Sequence, residues 1–507
     1  MNNNQVSCTE GILIHGEDDV VTLTKTVQAG QMVFWNYAGQ MEQRKASTDI
    51  PQFHKMACRK ITKGQKVKKY GHVIGIASQD IQKGEWVHTH NLESCSEEIM
   101  TSTTDMGTNG SIRKASVSPC IQGYRRPDGK FGIRNYVLIL PCSLCASETA
   151  RFIAENVRGS KYIPNQGGCS LSHKDYNITM NTLSGIAANP NVYGTIIIGN
   201  GCEVIQADAL YKEIQRKTNK PLYQYVIRKE GGSLSTINKA VKMAKKLVKE
   251  ASQLVKVEAD ISELLLGTEC GGSDPTSGLV SNPVVGETCD ILVKAGGSCI
   301  LSETPEMIGA ENVLAQRAKS EEIQRKLLHM IKEYEKAFLV VGENPRNGNP
   351  TPGNIAGGIT TLEEKSLGCI HKSGSTSINE VIGYAETVHE KGLIVMDTPG
   401  QDIASIAGMA AAGAQLVLFT TGHGTPTGFG IVPVIKITAN EETAYKMSDH
   451  IDFDCCGILT GQGDIINYGE NLYELIQKVS CGQKTKSEQL GFNDMSIARC
   501  SKNPKKK

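Results

Sequence analysis

The chain has 507 residues, too long for one ordinary hydrophobic core, which points to two or three domains. Lys and Arg number 54 against 53 Asp and Glu, so no global field draws nucleic acid or an anionic membrane, and an anionic substrate has to be held locally. The polar first residues lack a secretory signal and no run of about 18 apolar residues occurs, which predicts a cytoplasmic protein without membrane partners. Its 16 cysteines are then expected to stay reduced.

Residues 11–15, 20–23, 65–67 and 84–88 read as short strands between Gly-containing turns, so residues 1–92 are expected to form a small all-β module. From 93 to 120 the composition turns to Ser, Thr, Asn, Gly and charge without apolar periodicity, as in an exposed linker. Beyond it, apolar runs recur at 136–140, 195–198, 264–266, 393–396, 416–419 and 434–437. Several end in Gly, Cys, Thr or Asp, the pattern of strands covered on both faces. A helical stripe runs through Ile237, Val241, Ala244, Val248, Ala251 and Val255, and a second continues from Glu311 through Leu314, Ala318, Ile323, Leu327 and Ile331. The expected architecture is multidomain: the β module, then a larger α/β region with mostly parallel sheets, divided near residue 260 into 121–260 and 261–507. The Lys-rich end at Lys505 to Lys507 reads as a solvated tail.

Ligands of open α/β sheets bind beyond the carboxyl ends of strands, where loops and helix N-termini leave backbone amides unsatisfied. Cys145, Cys169, Cys202 and Cys270 fall at such places, three of them flanked by glycine, and this setting favours thiolate ligands for iron. Taken singly, each also reads as a small buried residue in a tight turn. The pair Cys142 and Cys145 forms a lone C-x-x-C with no second pair to complete a zinc site.

The β module supplies His15, His88 and His90. Alternation over 87–90 would send His88 and His90 to one strand face, a spacing suited to metal binding or acid/base work. Gly-rich loops at 271–274, 351–358 and 420–426 can present amides and hydroxyls to carboxylates or polyols. None matches a Walker loop or a dinucleotide fingerprint, so ATP and NAD are disfavoured.

In chain order these motifs resemble the altronate/galactarate dehydratase family. The resemblance runs through Ile12-Leu13-Ile14-His15, Val87-His88-Thr89-His90-Asn91 and residues 124–135 (YRRPDGKFGIRN). It continues in Gly199-Asn200-Gly201-Cys202-Glu203, Glu269-Cys270-Gly271-Gly272-Ser273-Asp274, Ser281-Asn282-Pro283, residues 352–368 (PGNIAGGITTLEEKSLG) and the Thr-Gly-x-Gly-Thr-Pro loop at 421–426. The family implies an N-terminal β-clip module of the SAF type and a catalytic region using iron, as Fe2+ or an iron–sulfur cluster, with Mn2+ as the alternative. It also implies dehydration of a sugar-derived hydroxy acid, altronate first among them, to a 2-keto-3-deoxy acid.

On this reading Cys145, Cys169, Cys202 and Cys270 hold the metal, and His15, His88 or His90 arrives from the β module as base or ligand. Arg134, Asn135, Ser273, Asp274, Lys365 and His423 meet the sugar acid, and a homo-oligomer is left open. Two positions depart from the family pattern. His423 stands where Arg is usual, which would make carboxylate binding weaker and pH-dependent, and Gly167 stands where Tyr precedes Gly-Cys. A sulfo-lyase acting on a sulfonated hydroxy acid and a non-catalytic sugar-acid-binding protein are the competing functions.

Overall fold

The computed structural model describes residues 10–95, 120–340 and 342–499. Expectations for the first nine residues, the linker across 96–119 and the lysine tail lie outside them.

Residues 10–95 are strand-rich, as expected: nine short strands form three small antiparallel sheets. Val20–Leu23 is a fully buried strand. Three other expected strands shift or shorten. Residues 65–67 give way to Lys66–Lys69, and the first strand stops at Gly11–Ile12, ahead of a turn in which the Asp18 carboxylate accepts from the His15 amide at 3.0 Å. The last is only Trp86–Val87, because the Asn91 side chain accepts from the His88 amide at 2.9 Å and donates to the Trp86 carbonyl at 2.8 Å. His88 and His90 therefore sit in an Asx-type turn and do not share a strand face.

The module docks on the helix Leu362–Ile370 and the segment before it through buried charge. Glu364 accepts from Lys55 and from Lys69, both at 2.8 Å, and all three side chains are at most 2% exposed. The same carboxylate accepts from the Thr360 amide and hydroxyl at 2.9 and 2.7 Å. Lys55 also donates to the Gly358 carbonyl at 2.7 Å, and Lys69 lies over the Tyr70 ring at 4.9 Å. Burial alone would raise the Glu364 carboxyl, but the two ammonium groups hold it well below the ordinary carboxylate range. Burial brings Lys55 down to about 8 because one carboxylate is shared between two cations.

The α/β region holds two parallel sheets. In the smaller, β1 (Tyr136–Pro141), β2 (Ser160–Tyr162), β3 (Val192–Gly199) and β4 (Leu222–Val226) lie in the order β2-β1-β3-β4. In the larger, β5 (Leu265–Cys270), β6 (Ser298–Leu301), β7 (Ile378–Ile382), β8 (Gly392–Met396), β9 (Leu416–Thr420), β10 (Val434–Thr438) and β11 (Phe453–Asp454) run β7-β8-β6-β5-β9-β10-β11. All six apolar runs read from the sequence are strands of these sheets. The first helical stripe lies on Ser233–Ser252, which buries Ala240, Ala244, Leu247 and Ala251 and leaves Val255 beyond its end. The second breaks into Glu311–Ala315 and Glu321–Val340, joined by residues 316–320.

The strands Cys120–Arg125 and Val257–Asp260 pair antiparallel, so the chain enters and leaves the smaller sheet's region side by side. Helices α1 (His173–Ala188) and α2 (Asp402–Ala412) pack between the two sheets. There Asn189 donates to the carbonyls of Ala410 and Ala414, both at 2.8 Å, and Asn191 to those of Gln415 and Ile431 at 2.9 and 3.0 Å.

Replacing Glu364 by Gln strands two buried ammonium groups. Urea unfolding should show a loss of about 3–5 kcal/mol, while the apolar triple variant Lys55→Met, Lys69→Met, Glu364→Leu should recover most of it. Because the Glu364 carboxyl titrates below its ordinary 4.5 in the folded chain, its contribution is complete above that value and fades as pH falls further. A Glu364→Gln chain as stable as the parent would show that the module is held by other contacts.

Candidate active site

Chain order locates a switch point in each sheet. In the smaller, the path leaves β1 for β2 on one side and returns to β3 on the other, so the loops after β1 and β3 flank a crevice at the carboxyl edge. The loop after β3 carries Cys202, the loop after β2 carries Cys169, and Cys145 stands in the first turn of the helix Leu144–Glu155 that follows β1. The three loops are tied together: Leu144 N donates to Gly167 O at 2.9 Å and Val204 N to Gly168 O at 2.8 Å. Gly168 has φ +97°, and a Cβ there would lie 2.3 Å from the Cys142 carbonyl oxygen, so only glycine lets the loops meet. All three thiols are exposed, while beneath them Ser143 Oγ and Glu203 Oε1 are buried and find no hydrogen-bond partner among the described residues.

In the larger sheet the switch lies between β5 and β9, whose following loops are two of the Gly-rich segments. They bond to each other, Gly422 N and His423 N donating to Gly272 O at 3.1 and 2.8 Å. Asp274, 2% exposed, accepts from Thr276 Oγ1 and Asn440 Nδ2, and Asn354 of the third Gly-rich loop donates to Ser273 O at 2.6 Å. Lys365 donates to Glu306 at 2.9 Å and Asn349 at 2.7 Å. Ser273, Asp274 and Lys365 thus come together, but the cavity they line with Tyr70 and Cys369 measures about 20 Å³. That is room for a water, not for a six-carbon acid. His423 is exposed and does not line that cavity.

Cys270 does not join the other three cysteines. It ends β5, buried, 3.5 Å from Cys369 Sγ and within reach of Glu303 and Lys372. The hydrogen bond with Cys369, and then burial, keep its thiol well above the ordinary range. Arg134 also departs from expectation. It is 8% exposed, and its five N–H donors go to both oxygens of Glu488, at 2.7 and 2.9 Å, and to the carbonyls of Ile133, Val479 and Gln483, so none is left for a substrate. Asn135 is spent likewise, between Arg126 and the Ala251 carbonyl.

The histidines separate too. His88 Nε2 lies 3.0 Å from the Ile355 carbonyl, which fixes Nε2 as the donor, and its Nδ1 faces Thr89 at 3.1 Å. It acts as a docking pin, as does His54, which bridges Ala356 O and Trp86 Nε1. Burial lowers both rings, His54 to about 4. His90 is exposed against the Trp86 ring, and His15 is exposed beside Gly71.

Between the edges of the two sheets lies a cleft of about 550 Å³. Asn165, Gln166 and Gly167, next to Cys169, form one wall, Pro399 and Gln401 the other, and Arg499 reaches in beside Gly167. Arg499 is exposed and makes no ion pair among the described residues. Asp402, which follows Gln401, sits so close to the chain at Gly271 that a Cβ there would fall 2.2 Å from its carboxylate. Burial and then Glu303 push its carboxyl up to about 7, where it can accept or return a proton near neutrality. Sequence reading missed Asp402 and Arg499. Neither lies in a recognisable motif: Arg499 reaches the cleft from the C-terminal segment, and Asp402 follows the wall residue Gln401 with its carboxylate against Gly271.

Three family descriptions match consecutive stretches. The altronate/galactarate dehydratase SAF domain covers residues 9–95, the second domain of D-galactarate dehydratase/altronate hydrolase 123–252, and the C-terminal D-galactarate/altronate dehydratase region 261–502. Altronate dehydratase of Bacillus subtilis is 34% identical over 502 residues, 96% of this chain and 98% of that one. Altronate dehydratase of Escherichia coli is 33% identical over the same shares of both chains. The beta subunit of (2R)-sulfolactate sulfo-lyase from Chromohalobacter salexigens is 35% identical over 381 residues, 74% of this chain and 96% of the subunit.

If Arg134 serves the fold, Arg134→Gln removes the counter-charge of the Glu488 carboxylate and the donors of three carbonyls, and costs about 3 kcal/mol or more in unfolding free energy. Calorimetry tests this; an unshifted melting temperature would return the guanidinium to the pool of ligand-binding groups.

Proposed function

The chain belongs to the altronate/galactarate dehydratase family, and from that membership we propose that it is a hydro-lyase that removes water from D-altronate to give a 2-keto-3-deoxy acid. The observation that carries the reading onto this chain is the cleft between the two sheet edges. Its volume suits a six-carbon acid, and Arg499 reaches into it beside Gly167.

Losing water from a 2,3-dihydroxy acid requires taking a weakly acidic proton beside the carboxylate and expelling hydroxide from the next carbon. Arg499 meets the substrate carboxylate, in the space that Gly167 leaves open. Its guanidinium stays charged at any working pH, which offsets the titratable His423. Asp402 takes the proton. It replaces His88 and His90 in that role, the first tied into docking and the second against Trp86, with His15 as the alternative base.

Cys145, Cys169 and Cys202 are the residues that would hold iron. These thiols stand on segments bonded to one another at a switch point, while among the described residues the ligand atoms gathered within 4.8 Å are those of Cys270, Glu303 and Cys369. When bound, the metal supplies Lewis-acid assistance to the departing hydroxide. Among the described residues no helix is long and apolar enough to cross a membrane.

Anaerobic, iron-replete protein offered altronate should release a 2-keto-3-deoxy acid. Sulfite from a sulfonated hydroxy acid with no keto-deoxy product would make it a sulfo-lyase, and saturable binding without product would make it a binding protein. Arg499→Gln should raise KM about tenfold or more with kcat less affected, as loss of a charged contact to bound substrate demands. Asp402→Asn should instead lower kcat by about 100-fold or more at similar KM. Full turnover in Asp402→Asn, with loss in His15→Ala, would reassign the base. Cys202→Ser with undiminished iron would remove that thiol from the metal site.

A further inference from the structure

A second group of ligand atoms lies away from the cleft, sealed in the core. Three elements deliver it: Cys270 from the end of β5, Glu303 from the turn after β6, and Cys369 from the helix Leu362–Ile370. Their Sγ, carboxylate O and Sγ atoms lie within 4.8 Å of one another, and all three residues are buried. The two sulfurs are 3.5 Å apart, and Cys270 Sγ is 3.6 Å from Glu303 Oε1. Two thiolates bound tetrahedrally at the usual zinc–sulfur length are separated by roughly 3.8 Å, so little movement separates this arrangement from a coordination sphere.

The surroundings of these three groups are strained and charged. Glu303 holds its carboxylate there from a left-handed backbone, φ +69°, which a non-glycine residue adopts at a cost and keeps where the surroundings demand it. Glu269, one residue before Cys270, is fully buried and has Oε1 without a partner. Moreover, the ammonium of Lys372 already contacts the same three groups: Cys369 Sγ at 3.0 Å, Cys270 Sγ at 3.3 Å and Glu303.

We propose that Cys270, Cys369 and Glu303 form a closed binding site for a soft divalent cation such as zinc(II), with Lys372 as its charge-balancing neighbour. Without metal, Lys372 and Glu303 form an ion pair beside the two sulfurs. Binding a divalent cation releases two thiol protons, and two thiolates, one carboxylate, the metal and the retained ammonium again sum to zero. A buried site therefore exchanges a metal ion for two protons without acquiring net charge, which is the condition for existing in a low-dielectric interior. Lys372 moves off the sulfur lone pairs but stays as the counter-ion. The site does not rest on the dehydratase reading and is distinct from the exposed thiols assigned to iron.

Cobalt(II) is the probe, added anaerobically to the full-length chain with Cys145→Ser, Cys169→Ser and Cys202→Ser so that the exposed thiols cannot contribute. One equivalent should produce thiolate-to-cobalt charge-transfer absorption and release about two protons per ion. Cys369→Ser should abolish the absorption. Lys372→Met should weaken binding by about tenfold or more, as loss of an outer-shell partner does; tighter binding would show that the ammonium merely competes, and would overturn its role. As a check independent of variant folding, zinc should protect Cys270 and Cys369 of the unsubstituted chain from alkylation under mild denaturant, as read by peptide mapping. No cobalt absorption, absorption indifferent to Cys369→Ser, or no protection overturns the site.

Discussion

One buried carboxylate shared by two ammonium groups sets where everything else in this molecule stands. Glu364 lies on the helix Leu362–Ile370, with Lys55 and Lys69 reaching it from two strands of the β module. The same helix carries Lys365 and Cys369, so the bond that docks the module also fixes Lys365 against Glu306 and Cys369 beside Cys270. Hydrophobic contact alone would allow the module to slide. Charges withdrawn from water do not, because every displacement leaves one of them unpaired. Further polar contacts join the module to the same region, among them His54 to Ala356, His88 to Ile355, Ser94 to Glu363 and Thr361 to the Ile74 carbonyl.

The second constraint is topological. Both parallel sheets place their loops of interest where strand order reverses, and at those places neighbouring loops diverge enough to leave a crevice. Thiols occupy one crevice and glycines the other. Interior packing of the two sheets through α1 and α2 then sets the edges side by side, so that the cleft belongs to neither sheet alone.

Much of this was legible in the chain itself, and the division follows the range of the interactions. Buried parallel strands announce themselves as apolar runs, so β8, β9 and β10 match their expected limits to within a residue. Short edge strands did not, because a single Asp18 or Asn91 side chain competing for backbone amides ends them. The thiol loops and Gly-rich loops were visible as motifs. Which of them meet was not: Cys270 parts from the other cysteines because it ends a strand of the other sheet. Lys55 and Glu364 are about 300 residues apart, and nothing local in either segment marks the pair. Arg134 misled for a similar reason, since a motif arginine with five internal acceptors is indistinguishable in sequence from one that greets a ligand.

The asparagines between the sheets have a consequence for recognition. Asn189 and Asn191 rivet the two sheets to each other at the strand ends opposite the cleft through four bonds to backbone carbonyls, and backbone is the least adaptable partner a side chain can have. Walls joined in this way lose little freedom when a guest arrives, so the entropy of association falls mainly on the small molecule. A flexible acid with several hydroxyls then meets donors and acceptors that will not rearrange to suit it. Stereochemical selectivity becomes a matter of pre-set spacing, and each misplaced hydroxyl carries the full cost of losing its water.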